Sequence, residues 1–118
     1  MNRIEGLLSA PPEKRYKSFI STVVDKEAVW VLSNENGYAT YEIENKIHLF
    51  VWPEKIFAQK FAENDIVTSI EIHDFCDRCE EVKYSNLSFL VFYNGENAYC
   101  VDAEKLLNDI QCELSLVE

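Results

Sequence analysis

The sequence predicts an α+β domain with a mostly antiparallel sheet and about four helices, in the order α-βββ-α-β-α-ββ-α. Three observations predict it. Asn36-Gly37 and Asn94-Gly95 each stand between apolar runs, and both residue types tolerate the positive φ of a tight hairpin turn. Other segments carry apolar residues at i, i+3, i+4 and i+7, the stripe of an amphipathic helix. Helices mixed with hairpins, rather than alternating with single strands, place the chain in the α+β class. The chain has 118 residues, 47% of them hydrophobic, enough for one core without metal or disulfide staples. Residues 1–118 are therefore expected to form one domain, with residues 1–11 as an N-terminal arm set off by Pro11 and Pro12.

Each element follows from local chemistry. Tyr16, Phe19, Ile20, Val23 and Val24 form one stripe, and proline is tolerated in a first turn, so a helix begins near Pro12. Ala28 to Ser33 is rich in Val and Trp and reads as a strand. Tyr38 to Glu44 reads as its return strand after Asn36-Gly37. Asn45-Lys46 is a second turn, and Ile47 to Trp52 a third strand stopped by Pro53. Together these predict a three-stranded antiparallel meander. Pro53 to Asn64 reads as a helix carrying Ile56, Phe57 and Phe61. Ile66 to Ile72 reads as a strand, His73 to Val82 as a helix, and Leu87 to Tyr93 as an apolar strand. Asn97 to Val101 returns after Asn94-Gly95. Asp102 is placed to cap a last helix bearing Leu106, Leu107, Ile110 and Leu114.

Charge narrows the partners. Eleven Lys and Arg oppose 21 Asp and Glu, for a net charge of −10. Such a chain does not bind nucleic acid or an anionic membrane nonspecifically. The surplus is uneven: residues 61–118 hold three bases and 13 acids. Glu63, Asp65, Glu71, Asp74, Asp77, Glu80 and Glu81 make the densest run. The N-terminal apolar residues Ile4, Leu7 and Leu8 are too few for a signal-peptide core. No stretch approaches the roughly 20 apolar residues of a membrane span. A cytoplasmic protein is expected, with Cys76, Cys79, Cys100 and Cys112 as reduced thiols.

Several residues resemble a known family. Arg15-Tyr16-x-x-Phe19 is followed by Val29-Trp30-x-Leu32, then Gly37-Tyr38-Ala39, then Val51-Trp52-Pro53-Glu54 leading into Ala58 and Phe61-Ala62. This pattern resembles the small bacterial proteins grouped as domain of unknown function 2750, from about Arg15 to Leu107. The resemblance implies a fold and a bacterial origin. It implies no activity, since that family has no established catalytic residues to carry over. The helix after Val-Trp-Pro is also similar, more weakly, to SseB-like domains.

Candidate chemistry centres on one segment. His73, Cys76 and Cys79 are spaced as half of many zinc sites, with Cys100 or Cys112 as a fourth ligand. Against this, Phe75, Cys79 and Val82 share an apolar helical stripe, which turns Cys79 into the core and leaves Cys76 at its border. No metal and no cofactor are expected. His48 lies inside a strand and is expected to be structural. Glycines stand only at 6, 37 and 95, which excludes a phosphate loop or dinucleotide fingerprint, and no serine has a Gly-x-Ser-x-Gly setting. Trp30, Trp52, Tyr38, Tyr41, Phe50 and Phe57 are expected to pack in the core or hairpins; several exposed together would instead mark a contact surface.

The opposite face of the same helix presents Asp74, Asp77, Glu80 and Glu81, preceded by Glu71. A solvated face is the ordinary explanation of such a run. A surplus collected in one region also steers a basic partner. The expected function is therefore that of a small acidic binding protein, not an enzyme: an immunity or inhibitor protein that neutralises a basic partner such as a toxic nuclease effector, through Glu71, Asp74, Asp77, Glu80 and Glu81. The alternative is a small enzyme or ligand-binding housekeeping domain with its site near His73, Cys76 and Cys79.

Overall fold

A computed structural model describes residues 3–117, with side chains from residue 5 onward. The elements run α1 (Arg3–Ser9), α2 (Pro12–Lys26), β1 (Ala28–Asn34), β2 (Gly37–Tyr38), β3 (Thr40–Ile43), β4 (Lys46–Val51), α3 (Lys55–Gln59), β5 (Ile66–Glu71), α4 (Ile72–Val82), β6 (Leu87–Val91), β7 (Tyr99–Asp102) and α5 (Ala103–Val117). The α+β class holds. The arm contains a helix, α1, that its interrupted apolar pattern does not announce.

Local signals explain the helix ends. Pro12 stands in the first turn of α2, and the helix ends at Glu27, whose left-handed φ of 59° lets its N–H reach the Val23 carbonyl. Asp102 caps α5 as expected, its Oδ1 accepting the Lys105 N–H at 2.8 Å. Helix α3 stops well short of Asn64, and Glu63 just beyond it takes a left-handed φ of 45°. Strand β6 stops at Val91 because Phe92 turns left-handed, φ 58°.

The expected meander does not form as one sheet. The strands divide into a three-stranded sheet, β2-β1-β5, and a four-stranded sheet, β3-β4-β6-β7. The return segment after the first hairpin is shared between them. Gly37 and Tyr38 pair with β1, the Ala39 N–H still reaches the Leu32 carbonyl at 2.8 Å, and Thr40 to Ile43 then pair with β4. At the other end, Trp30 and Trp52 exchange backbone hydrogen bonds of 2.9 and 2.8 Å, which ties β1 to the end of β4. The long partner of β1 is β5, paired from Ala28↔Glu71 to Ser33↔Ile66. Strand β4 runs parallel to β6, from Ile47↔Leu87 to Val51↔Val91. The segment between them, α3-β5-α4, is the long crossover that a parallel pair requires.

Two of the turns are displaced from the Asn-containing dipeptides by one residue, and the third is wider than a tight turn. The first hairpin turns on Glu35 and Asn36, with the Asn36 N–H bonded to the Asn34 side chain at 2.8 Å. Gly37 follows with φ +117° as the first paired residue. The second turns on Glu44 and Asn45, φ 50° and 68°, a type I′ turn with both central residues left-handed. The third is a wider loop over residues 92–98, in which Asn94 Oδ1 accepts the N–H groups of Glu96 and Asn97, both at 3.0 Å.

A Cβ added at Gly37 meets nothing within 4 Å, so any penalty there is conformational and not steric. Gly37→Val is expected to lower stability by about 1 kcal/mol or more. Urea unfolding checks this, and an unchanged midpoint would refute it.

The core lies between the sheets and the helices. Leu49, Val51, Phe89, Val91 and Val101 alternate inward and are buried with Val29 and Val31 of the other sheet. Phe19 and Val23 of α2, Phe75 and Cys79 of α4, and Leu106 and Ile110 of α5 meet them. Helix α5 touches both α2 and α4.

Candidate functional site

The acidic residues of α4 are placed as expected on its solvent side, but they are not equivalent. Glu71 is the N-cap. Its carboxylate accepts the backbone N–H groups of His73 at 2.9 Å and Asp74 at 3.2 Å, and meets His73 Nδ1 at 2.8 Å. The His73 contacts foremost hold the Glu71 pKa below the ordinary carboxylate value. Asp74 pairs with Arg78 at 3.4 Å, and Glu80 with Lys83 at 2.6 Å. Asp77 and Glu81 lie one turn apart, both exposed, with no ion pair among the described residues. Of the five sequence-predicted contact residues, Asp77 and Glu81 alone thus offer undivided charge.

Glu81 borders a pocket of about 230 Å³ between α4 and the sheets. Leu49, Phe75 and Phe89 line it, with Glu81 and Arg78 as charged members. The Arg78 guanidinium lies 6.0 Å from the centroid of the Tyr38 ring, close to the limit of a cation–π contact.

His73, Cys76 and Cys79 do not converge. His73 is exposed and turned to Glu71, whereas Cys79 is fully buried and Cys76 nearly so. This matches the apolar stripe rather than the zinc spacing. Among the described residues no group of three His, Cys, Asp or Glu is arranged to hold a metal ion. Burial pushes the thiols up, to about 11 for Cys76, with Asp77 and Glu71 adding to the shift, and to about 12 for Cys79. Cys100 and Cys112 are exposed. A disulfide-exchange reagent at pH 8 is expected to label Cys100 and Cys112 rapidly, and Cys76 and Cys79 only after denaturation. Four equally fast thiols would contradict the burial of α4. His48 is buried in β4, its Nδ1 3.2 Å from the Lys46 carbonyl.

Three groupings were not legible in the sequence. Arg15 is buried in α2 and holds the carbonyls of Ala10, Phe92 and Asn97. Its spacing of four from Phe19 was the available signal, since it puts the guanidinium on the apolar stripe. Second, Tyr16 donates to Asp109 Oδ2 at 2.5 Å, and Lys105 Nζ meets the same oxygen at 2.9 Å. Burial acts to raise the Asp109 pKa, but these hydrogen bonds outweigh it and leave the pKa below the ordinary value. Burial, reinforced by Asp109, raises that of Tyr16. The contacts tie α5 to α2 beside a broad cleft of about 560 Å³. Third, Phe50 and Trp52 join Phe61 and Tyr93 in a closed circuit of ring contacts beside the end of α3.

No helix among the described residues is long and apolar enough to cross a membrane. No curated protein matches the chain. The residues that carry the family resemblance include much of the core: Tyr16, Phe19, Val29, Val51, Trp52 and Ala58 are all buried. Residues 16–110 match the family described as "Protein of unknown function (DUF2750)", to which the chain belongs.

Proposed function

We propose that the protein is a small binding protein that docks on and neutralises a basic partner, in the manner of an immunity or inhibitor protein covering a toxic nuclease or similar effector. The observation that carries this is the pair Asp77 and Glu81, exposed on one face of α4 without ion partners among the described residues, with Glu81 also lining an apolar pocket. The pair belongs to the half of the chain that holds three bases against 13 acids. Unpaired carboxylates speed association with a cationic surface. The apolar pocket supplies what charge alone does not, since exposed ion pairs are each worth about 1 kcal/mol or less.

Affinity capture from the cells that make the protein, at low and at physiological salt, tests this. The captured partner is expected to be strongly basic and to associate more slowly as the screening length shrinks to about 8 Å. Asp77→Lys with Glu81→Lys is expected to abolish capture at physiological salt and leave the unfolding midpoint nearly unchanged. Capture of the same proteins by the double variant at low salt, with the same on-rate, would overturn the proposal.

A further inference from the structure

The sheet face turned away from α2, α4 and α5 carries a second surface. Leu49 and Val51 point into the core, so the alternation of β4 turns Phe50 outward. Trp52, two residues on, shares that face. Phe61, from the turn after α3, and Tyr93, from the loop after β6, complete the group. The centroid separations run Phe50–Trp52 5.9 Å, Trp52–Phe61 5.8 Å, Phe61–Tyr93 5.1 Å and Tyr93–Phe50 5.5 Å. Trp52 is the floor, 1% exposed, and its Nε1–H is spent on the Tyr93 carbonyl at 2.9 Å. The buried indole is stacked with Phe50 and Phe61, so it supports those rings from beneath, and the ring surface open to a ligand is theirs and that of Tyr93. Phe50, Phe61 and Tyr93 are half-buried and form walls of a cleft of about 360 Å³.

The rim of this cleft is charged. Glu63, Asp65 and Lys60 line it. Asp65 lends one oxygen to the Asn34 amide at 3.2 Å, and Glu63 is held there in a left-handed conformation. Two carboxylates face one ammonium group, so the rim favours a cation. Aromatic faces attract a cation through their quadrupoles. The volume lies near the lower end of the roughly 300–1000 Å³ that buries a small-molecule ligand, which suits one long side chain better than a cofactor. A guanidinium fits best, because it stacks flat on rings while its edge bonds a carboxylate.

We propose that this aromatic cleft is the anchor site for an arginine side chain of the basic partner, with Glu63 and Asp65 receiving the guanidinium. The proposal rests on the protein's binding a basic partner and adds a second contact, on a different face from α4.

The test uses the intact chain and small probes, so it does not depend on the partner. N-acetyl-argininamide, N-acetyl-lysinamide and N-acetyl-norleucinamide are titrated into the labelled protein and followed by amide and indole NMR. The arginine probe is expected to give saturable shifts centred on the Trp52 Nε1–H and residues 60–65, tighter than lysine and absent for the uncharged norleucine. Phe50→Leu is expected to weaken binding about fivefold, as for loss of one ring–cation contact. Glu63→Gln with Asp65→Asn is expected to abolish the preference for arginine. Lys60→Ala, an exposed change that spares folding, is expected to tighten binding. Shifts centred on Asp77 and Glu81, equal shifts with norleucine, no saturation, or an unchanged Lys60→Ala affinity would each overturn the cleft. The α4 proposal would stand or fall separately on the capture experiment.

Discussion

Arg15→Ala is expected to destabilise the protein by about 3 kcal/mol or more, since hydrogen bonds from a charged donor contribute about 1.5–3 kcal/mol each. Arg15 is 1% exposed. Its Nε donates to the Ala10 carbonyl at 3.0 Å, and Nη1 to the carbonyls of Phe92 at 2.6 Å and Asn97 at 3.2 Å. Nη2 donates to the Asn97 side chain. One guanidinium thus fastens the α1–α2 junction to the 92–98 loop, where Phe92 is held left-handed. Burial lowers the Arg15 pKa, with Glu13 and Glu96 acting in the opposite direction. Truncation strands the buried carbonyl of Phe92 and loosens the part-buried bonds to Ala10 and Asn97; leaving a buried acceptor without its donor is costlier than never having made the bond. Arg15→Lys recovers little, because a single ammonium cannot reproduce the planar fork. Urea unfolding followed by circular dichroism measures the loss, and hydrogen exchange should show residues 92–98 opening first. A variant within about 0.5 kcal/mol of the parent, the range of an ordinary surface substitution, would mean the hub is incidental.

Trp52→Ala is expected to cost about 3–5 kcal/mol, the usual range for emptying a large aromatic site. The change also removes the hydrogen bond to the Tyr93 carbonyl and the stacks with Phe50 and Phe61. Trp52 also ties the two sheets together at one end, through its backbone bridge to Trp30. Trp52→Phe keeps a ring and most of the volume but loses the indole N–H, so it should cost distinctly less. Equal losses for the two variants would place the energy in the hydrogen bond and not in packing. Since domains are stable by only about 5–15 kcal/mol, Trp52→Ala is expected to leave a protein that unfolds at low denaturant.

Reversal of Asp77 and Glu81 belongs at the other end of the scale. Both are exposed and without an ion pair among the described residues, so their reversal should register in association kinetics and hardly at all in stability. This separation between stability and binding distinguishes a contact surface from a structural one in this molecule.

Part of the candidate site was legible from spacing. The alternation that buries Phe75 and Cys79 turns Asp74, Asp77, Glu80 and Glu81 to solvent, and a helical wheel is enough to see it. That Asp74 and Glu80 are occupied by Arg78 and Lys83 is also i, i+4 and i, i+3 chemistry. The cap made by Glu71 was less visible, because glutamate is not among the favoured capping residues. The aromatic cleft was not legible at all. Phe50, Trp52, Phe61 and Tyr93 come from three segments that meet only once the sheets are assembled.

The sequence by itself determined the class, most of the elements and the inner faces of the longer helices. Hairpin signals, the stripe of Tyr16, Phe19, Ile20 and Val23, the Asp102 cap and the burial of Cys79 are all set within one or two turns of chain, where spacing alone dictates which residues meet. Only the tertiary structure decided the strand partners. Nothing local says that β5 should be the long partner of β1, that β4 should run parallel to β6, or that the segment from Gly37 to Ile43 should serve two sheets. Backbone hydrogen bonds are alike at every register, so pairing is chosen by which arrangement buries the most apolar side chains together. Arg15 follows the same rule: its place on a helical stripe was local, but its carbonyl partners at Phe92 and Asn97 lie far along the chain and exist only in the folded protein.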